Sequence, residues 1–326
     1  MTARRVALAI LSDVHYAGPG EQSRPDYCLN AIAHPARRAL TRFYRHHVWQ
    51  RDPFAHNHLL EQFLRRVSRV DWVVANGDYS CDSAFVGVAD AAARESARLC
   101  LGKLRAAFPA RLAATLGDHE LGKKPLGADR GGMRFESLDR AVRELELQPF
   151  WRIRVGRYVL MGVTSSLIAL PVFEPETLVA ERPAWHRARA EHLHEIADAF
   201  AALGGDERVL LFCHDPTALP FLLELPAVRA RLHAIECTII GHLHSPVVLW
   251  KARLLAGLPP VRFLGHTVRR LSSALCRARA WDRFRILLCP SLSGIQLLKD
   301  GGFYTAALDR EAREPVQFEF HRLPWR

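Results

Sequence analysis

Seven residues could do chemistry together in this chain: Asp13, His15, Asp78, Asp118, His214, His242 and His244. They fall in five short motifs, LSDVH, NGDY, LGDHE, FCHD and IIGHLH, each following an apolar run of strand character. In Asp-x-His and His-x-His, alternate residues of an extended chain point the same way, so each pair can address a single centre. Gly77, Gly117 and Gly241 directly precede ligand candidates, where a missing side chain lets the backbone turn tightly. Carboxylate oxygens and imidazole nitrogens without a thiolate suit manganese, iron or zinc rather than copper(I) or an iron-sulfur cluster. Two such ions about 3.5–4 Å apart clamp a phosphoryl group and lower the pKa of a water enough to make it a nucleophile at neutral pH. Any one motif has a plainer explanation, because Asp after a strand often caps a helix or opens a turn. All five together, each at a strand end, favour a dinuclear metal centre. His46, His47, His192 and His194 are expected on solvated helix faces, with no metal role.

The elements that must position these residues are legible as apolar runs. Val6 to Leu11, Trp72 to Ala75, Leu112 to Leu116, Val159 to Val163, Val209 to Cys213, Cys237 to Ile240 and Ile286 to Cys289 read as buried strands. Helical spacing lies between them. Leu59, Leu60, Phe63, Leu64 and Val67 follow a 3.6-residue period, as do Ala97, Leu101 and Leu104, and Pro183 to Leu203 suits a helix opened by proline. This alternation predicts a layered α/β architecture over residues 1–326 as a single domain. Two stretches interrupt it, at about 18–53 and 247–288, and both directly follow a ligand motif. Loops leaving the carboxyl ends of strands form the ligand crevice of open α/β sheets, so both insertions belong at the rim of the site.

Composition sets the remaining bounds. The hydrophobic fraction of 49% and charged fraction of 24% over 326 residues are those of a globular protein with a full core. The run Val6 to Leu11 is too short for a signal-peptide core and leads straight into Ser12-Asp13. No stretch approaches the roughly 18 uninterrupted apolar residues of a membrane-spanning helix. The seven cysteines form no Cys-x-x-Cys pair and are expected as buried thiols in a reducing cytoplasm. The net charge of +11 predicts an anionic partner: nucleic acid, an acidic membrane surface or a phosphate-bearing substrate.

Most of that charge is in one insertion. Between Val247 and Leu288, nine Lys and Arg residues face one acid, Asp282, a net of +8. Leu264, Val268, Leu271 and Leu275 recur at helical spacing with Arg269, Arg270 and Arg277 interleaved and Trp250, Phe263, Trp281 and Phe284 as aromatics. Three readings stand open: an interfacial membrane helix, a nucleic-acid contact, or an apolar face packed on the core with solvated arginines. Arg37 to Arg51 repeats the basic and aromatic combination at the other rim, which suggests an amphiphilic substrate.

The ordered set Asp-x-His, Gly-Asp, Gly-Asp-His-Glu, His and Gly-His-x-His resembles the signature of the calcineurin-like metallophosphoesterase superfamily, from Asp13 to His244. The resemblance implies a two-sheet α/β sandwich flanked by helices, and an enzyme that cleaves phosphoester or pyrophosphate bonds with two divalent ions, manganese first, with iron or zinc as alternatives. It assigns Asp13, His15, Asp78 and His244 to one metal, and Asp78 as bridge with Asp118, His214 and His242 to the other. It makes His119 a transition-state stabiliser or general acid, with Glu120 orienting it. One residue departs from the pattern, because the superfamily usually has Asn where this chain has Asp118. The added carboxylate leaves two divalent ions and a hydroxide formally neutral, which weakens the hold on phosphate unless a nearby Lys or Arg compensates. The basic, apolar rims are similar in character to the UDP-2,3-diacylglucosamine pyrophosphatases of lipid A synthesis, including the chlamydial type. That likeness implies an acylated substrate met at the cytoplasmic face of a membrane. A nucleotide or nucleic-acid phosphodiesterase and a noncatalytic metal-stabilised scaffold are the alternatives.

Overall fold

The computed structural model describes residues 5–49, 53–67, 69–125, 127–261 and 266–325. Among the described residues there are ten strands: β1 Val6–Leu11, β2 Trp72–Asn76, β3 Leu112–Thr115, β4 Phe150–Val155, β5 Tyr158–Val163, β6 Arg208–Cys213, β7 Ile235–Ile240, β8 Ile286–Leu288, β9 Gly302–Leu308 and β10 Gln317–Arg322. They form two five-stranded sheets, ordered β10-β9-β1-β2-β3 and β4-β5-β6-β7-β8. The ligand-bearing strands run parallel within each sheet, β1 beside β2 beside β3 in the first and β6 beside β7 in the second.

Side-chain alternation separates two cores. Leu8 and Ile10 of β1, Val74 of β2, Leu160 of β5, Leu210 and Phe212 of β6 and Ile239 of β7 form an apolar layer between the sheets. The intervening residues Ala9, Leu11, Val73, Val159 and Leu211 join a larger outer cluster with the helices, among them Leu59, Leu60 and Phe63 of Asn57–Arg66 and Trp185 and Phe200 of Arg182–Ala201. A strand apolar on both faces is therefore what the sandwich requires, and the seven contiguous runs read from sequence are strands of this kind. Missing from that reading are β4, β9 and β10. The sequences FWRIRV and QFEFHR alternate apolar with charged residues at the sheet edges, and only a period-two search finds them.

Both interruptions are helical. The first holds the helix Pro35–Tyr44 and a π-type turn Arg45–Trp49, and the second the helices Pro246–Leu254 and His266–Arg277. All seven cysteines are unpaired thiols. No helix among the described residues is long and apolar enough to cross a membrane.

The helix layer on the second sheet depends on Trp185, which is fully buried and meets Phe135 edge to face at 5.3 Å. Trp185→Ala is expected to lower stability by about 3–5 kcal/mol, read by urea unfolding. Metal uptake by the folded fraction should be unchanged, because Trp185 touches none of the seven ligand candidates.

Candidate metal centre

The seven candidates converge from both sheets. Asp78, Asp118, His214 and His242 offer ligand atoms within 4.8 Å of one another, and so do Asp13, His15 and His244. A third overlapping group of His15, Asp78 and His119 places Asp78 next to both sets. His214 Nε2 lies 3.1 Å from an oxygen of Asp78 and 3.1 Å from one of Asp118, and His242 Nδ1 lies 3.0 Å from the same Asp118 oxygen. On the other side, His244 Nε2 is 3.2 Å from Asp13 and 3.1 Å from His15 Nε2.

Tight backbone geometry at the strand ends produces this convergence. Asp13, His15, Asp78, His242 and His244 all have positive φ, between 48° and 60°. Five non-glycine residues in the left-handed region within one site are strain that the surrounding structure must hold. Asp13 N donates to Gly77 O and His15 N to Asp78 O, which ties the turn after β1 to the turn after β2. Gly117 must be glycine, because a Cβ there would lie 2.1 Å from the Asp78 carboxylate.

The imidazoles are oriented from behind. His214 Nδ1 meets the carbonyl of Asn76 at 2.6 Å and His15 Nδ1 that of Ser80 at 3.2 Å. In each ring Nδ1–H donates to the backbone carbonyl, which directs Nε2 toward the centre as the ligating atom.

Electrostatics show what the site needs. Asp13, Asp78 and Asp118 are at most 2% exposed. Burial pushes each carboxyl up, and Asp118 adds to that push on Asp78, yet all three stay below the usual range. For Asp13 the imidazoles of His214 and His244 prevail, for Asp78 those of His214 and His119, and for Asp118 the Lys123 ammonium with His242. Burial lowers His214, but Asp78 and Asp13 outweigh it and raise its pKa well above the ordinary value. Burial, followed by His119 and His244, takes His15 down to about 3. Three buried carboxylates set among imidazoles, with no thiolate, form a donor set that fits two divalent ions.

The structure assigns Glu120 a different contact from the expected one. Its carboxylate does not reach His119 and instead accepts the backbone N–H groups of Gly117, Asp78 and Tyr79 at 2.8–3.0 Å. It clamps the turn that carries Asp78. Burial, then the charge of Asp78, raises its pKa to about 8. His119 packs edge-on against His15 at 4.7 Å, with Nε2 3.8 Å from Asp78, and its Nδ1 has no hydrogen-bond partner among the described residues.

Three further residues stand at the centre without having been singled out. Lys123 Nζ is 2.7 Å from the second oxygen of Asp118 and 3.1 Å from His242 Nε2. Asp215 lies 3.6 Å from His242, and Trp49 covers His244 with ring centroids 4.7 Å apart. Lys123 and Asp215 were within reach of the reading, since Lys123 lies five residues past Asp118 and Asp215 directly follows His214 in FCHD. Trp49 was read only as part of the basic and aromatic rim from Arg37 to Arg51, with no place at the metal centre. His192, expected on a solvated face, is buried and accepts from Thr164 N at 3.0 Å, whereas His194 is exposed.

A cavity of about 490 Å³ opens from the centre. His15, His119, Lys123, His242 and His244 line one end. Leu29, Ile32, Tyr44 and Trp49 from the first insertion face Val248, Leu255, Leu271 and Leu275 from the second. Of the residues expected to meet a substrate, Arg270, Leu271 and Leu275 line this cavity. The Arg270 guanidinium is already engaged by Glu176 at 2.6 Å and by the carbonyl of Lys124. Val268 is half-buried, Arg269 is exposed, and Arg277 pairs with Glu224 and stacks on Phe221, all outside the cavity lining. Leu264 lies outside the described residues.

No protein-family model and no curated sequence matches the chain. Among solved structures it is similar to a dimetal phosphatase from Danio rerio (14% identity, 97% of this chain and 95% of that one, TM-score 0.46). It is also similar to a purple acid phosphatase from yellow lupin seeds (11%, 98% and 52%, 0.42) and to a metallophosphoesterase from Sphaerobacter thermophilus (14%, 97% and 88%, 0.34). Likeness at these scores assigns neither fold nor site, and the residues above are placed by their own geometry.

Glu120→Ala leaves three buried N–H groups unsatisfied at the Asp78 turn. Stability should fall by about 1–3 kcal/mol for each donor that water fails to reach, and metal affinity should fall with it, measured by thermal unfolding and metal titration. Unchanged stability and metal affinity would show that the Asp78 turn holds without this clamp.

Proposed function

We propose that this chain is a dinuclear-metal phosphohydrolase acting on a phosphoester or pyrophosphate that carries an apolar group. The observation that carries the reading is the position of Asp78, which adjoins both ligand sets and so can bridge two ions at one end of an apolar cavity. One ion would be held by Asp13, His15, Asp78 and His244, and the other by Asp78, Asp118, His214 and His242. Bound there, the pair supplies Lewis-acid polarisation of phosphoryl oxygens and a water acidic enough to attack at neutral pH. His119 lines the same space with its side chain partly exposed, placed to hydrogen-bond a phosphoryl oxygen or to protonate the departing one.

The cavity walls support an acylated substrate. Both insertions contribute aliphatic and aromatic side chains to them, and burial of acyl methylenes is worth about 0.8 kcal/mol each. Leu40, Phe43, Trp250 and Leu254 on the two insertions are more than half exposed, and anionic lipid would be met by the arginines interleaved with them. UDP-2,3-diacylglucosamine has this combination of acyl chains and pyrophosphate, and manganese is the first ion to try.

The test compares that compound, its deacylated counterpart, a cyclic nucleotide and single-stranded nucleic acid under one manganese condition, with vesicles of anionic lipid as a binding control. Preferred turnover of the acylated compound is expected, abolished by a chelator and by Asp78→Ala, which should also lower bound metal from two equivalents. Equal turnover of the nonacylated compounds with no vesicle binding sinks the lipid reading and leaves a phosphodiesterase. Tight metal binding without hydrolysis of any of them or of bis(p-nitrophenyl) phosphate leaves a scaffold.

His119→Ala should reduce turnover by about 10²–10⁴-fold while two metals stay bound, by kinetics and elemental analysis on one preparation. Loss of metal would make His119 a ligand instead.

A further inference from the structure

Asp118 adds a negative charge to a centre that must hold an anion, and one residue answers it. Lys123 Nζ sits 2.7 Å from Asp118 Oδ2. The other oxygen, Oδ1, is the one that His214 and His242 approach at 3.1 and 3.0 Å, so the carboxylate can ligate through Oδ1 while Oδ2 holds the lysine. Lys123 also approaches both nitrogens of His242, at 3.3 and 3.1 Å, contacts that compete with metal ligation of that ring. The Asp118 contact does not compete. Lys123 is partly exposed and lines the cavity beside His119 and His242.

Resting on the two-metal reading above, we infer that Asp118 and Lys123 work as one unit, in which the ammonium cancels the charge of the carboxylate and presents its N–H donors to the phosphoryl group of the substrate. An uncharged amide at position 118 would have no charge to cancel. The carboxylate with its lysine reaches the same net charge and adds a donor that an amide alone does not place in the cavity. An ammonium has three donors, and its contact with Asp118 Oδ2 is an ion pair at 2.7 Å outside hydrogen-bond geometry, which leaves those donors for a ligand in the cavity. In this unit Lys123 is a substrate-binding residue, and Asp118, besides ligating, positions it.

The two substitutions should therefore offset each other. In the manganese-loaded protein, with inorganic phosphate as probe, Lys123→Met is expected to weaken phosphate binding by about ten- to hundredfold while two metals stay bound. Asp118→Asn alone should tighten it, because the lysine charge is then uncompensated. The double variant should recover most of what Lys123→Met loses, and Lys123→Arg should retain part of the affinity that methionine forfeits. Calorimetry reads the binding, elemental analysis the metals, and thermal unfolding checks that each variant folds. Phosphate affinity unchanged in Lys123→Met, or a loss that persists undiminished in the double variant, overturns the unit. A chain that binds metals and phosphate and shows the offset, yet cleaves no phosphoester, sinks the hydrolase reading and leaves this one standing. A wild-type chain that takes up no manganese overturns both.

Discussion

Three carboxylates that cannot escape one another organise this molecule. Asp13, Asp78 and Asp118 are nearly completely buried and meet at the ends of strands from one sheet. Buried like charges at this range are strongly unfavourable unless cations or N–H donors face them. Every neighbouring choice of residue answers that need. His214 is drawn to a raised pKa between Asp78 and Asp13, Lys123 settles on Asp118, and the backbone N–H of His242 donates to Asp13 at 3.1 Å.

The same constraint ties the core to the chemistry. Asp13, Asp78 and Asp118 follow β1, β2 and β3 of one sheet, whereas His214, His242 and His244 follow β6 and β7 of the other. Neither sheet holds a complete ligand set. The centre exists only while Leu8, Ile10 and Val74 pack against Leu210, Phe212 and Ile239, so the apolar layer between the sheets fixes the distance between carboxylates and imidazoles. His214 makes the join directly, with Nδ1 on the carbonyl of Asn76 at the end of β2. Glu120 acts at longer range: by holding Gly117, Asp78 and Tyr79 through their N–H groups, it sets the turn in which Asp78 adopts a φ of 60°.

The ligands were legible because their requirements are local. A chelating side chain one to four residues past a buried strand leaves a trace in both composition and spacing, and the seven candidates lie in two neighbouring groups, the division that the family resemblance implied. The partners that discipline those ligands leave no such trace. Glu120 follows His119 in sequence, and adjacency suggested contact, but a one-turn helix from Asp118 to Leu121 sends neighbouring side chains different ways, and Glu120 turns toward β2. His192 was misplaced for a similar reason. The polar residues around it suggested a solvated face, while burial was decided by Phe150 and Thr164 arriving from another part of the chain. The edge strands β4 and β10 escaped because their alternation with charge hides them from a search for contiguous apolar runs.

The basic insertion shows how far net charge can mislead about a surface. Its +8 left three readings open, and in the structure the arginines have separate employments: Arg270 bridges to Glu176, Arg277 to Glu224 and Arg253 to Asp282, while Arg269 stays exposed. Arg270 and its partner are almost enclosed, at 11% and 2% exposure, so this pair fastens the helix His266–Arg277 against residues 124 and 176 rather than advertising charge. What that fastening holds in place is the apolar wall of Leu271 and Leu275 opposite Leu29 and Ile32. Lys123 is the ammonium that touches the candidate ligands, and the cavity lining mixes aliphatic and aromatic side chains with Arg45, Lys124, Lys251 and Arg270. Under the proposed function, a substrate would put its phosphate at the strand ends and its apolar part between the insertions. Selectivity among phosphoesters would then fall to the walls, because any phosphate could meet two metals and a lysine, but only an apolar appendage would gain from leaving water between these helices.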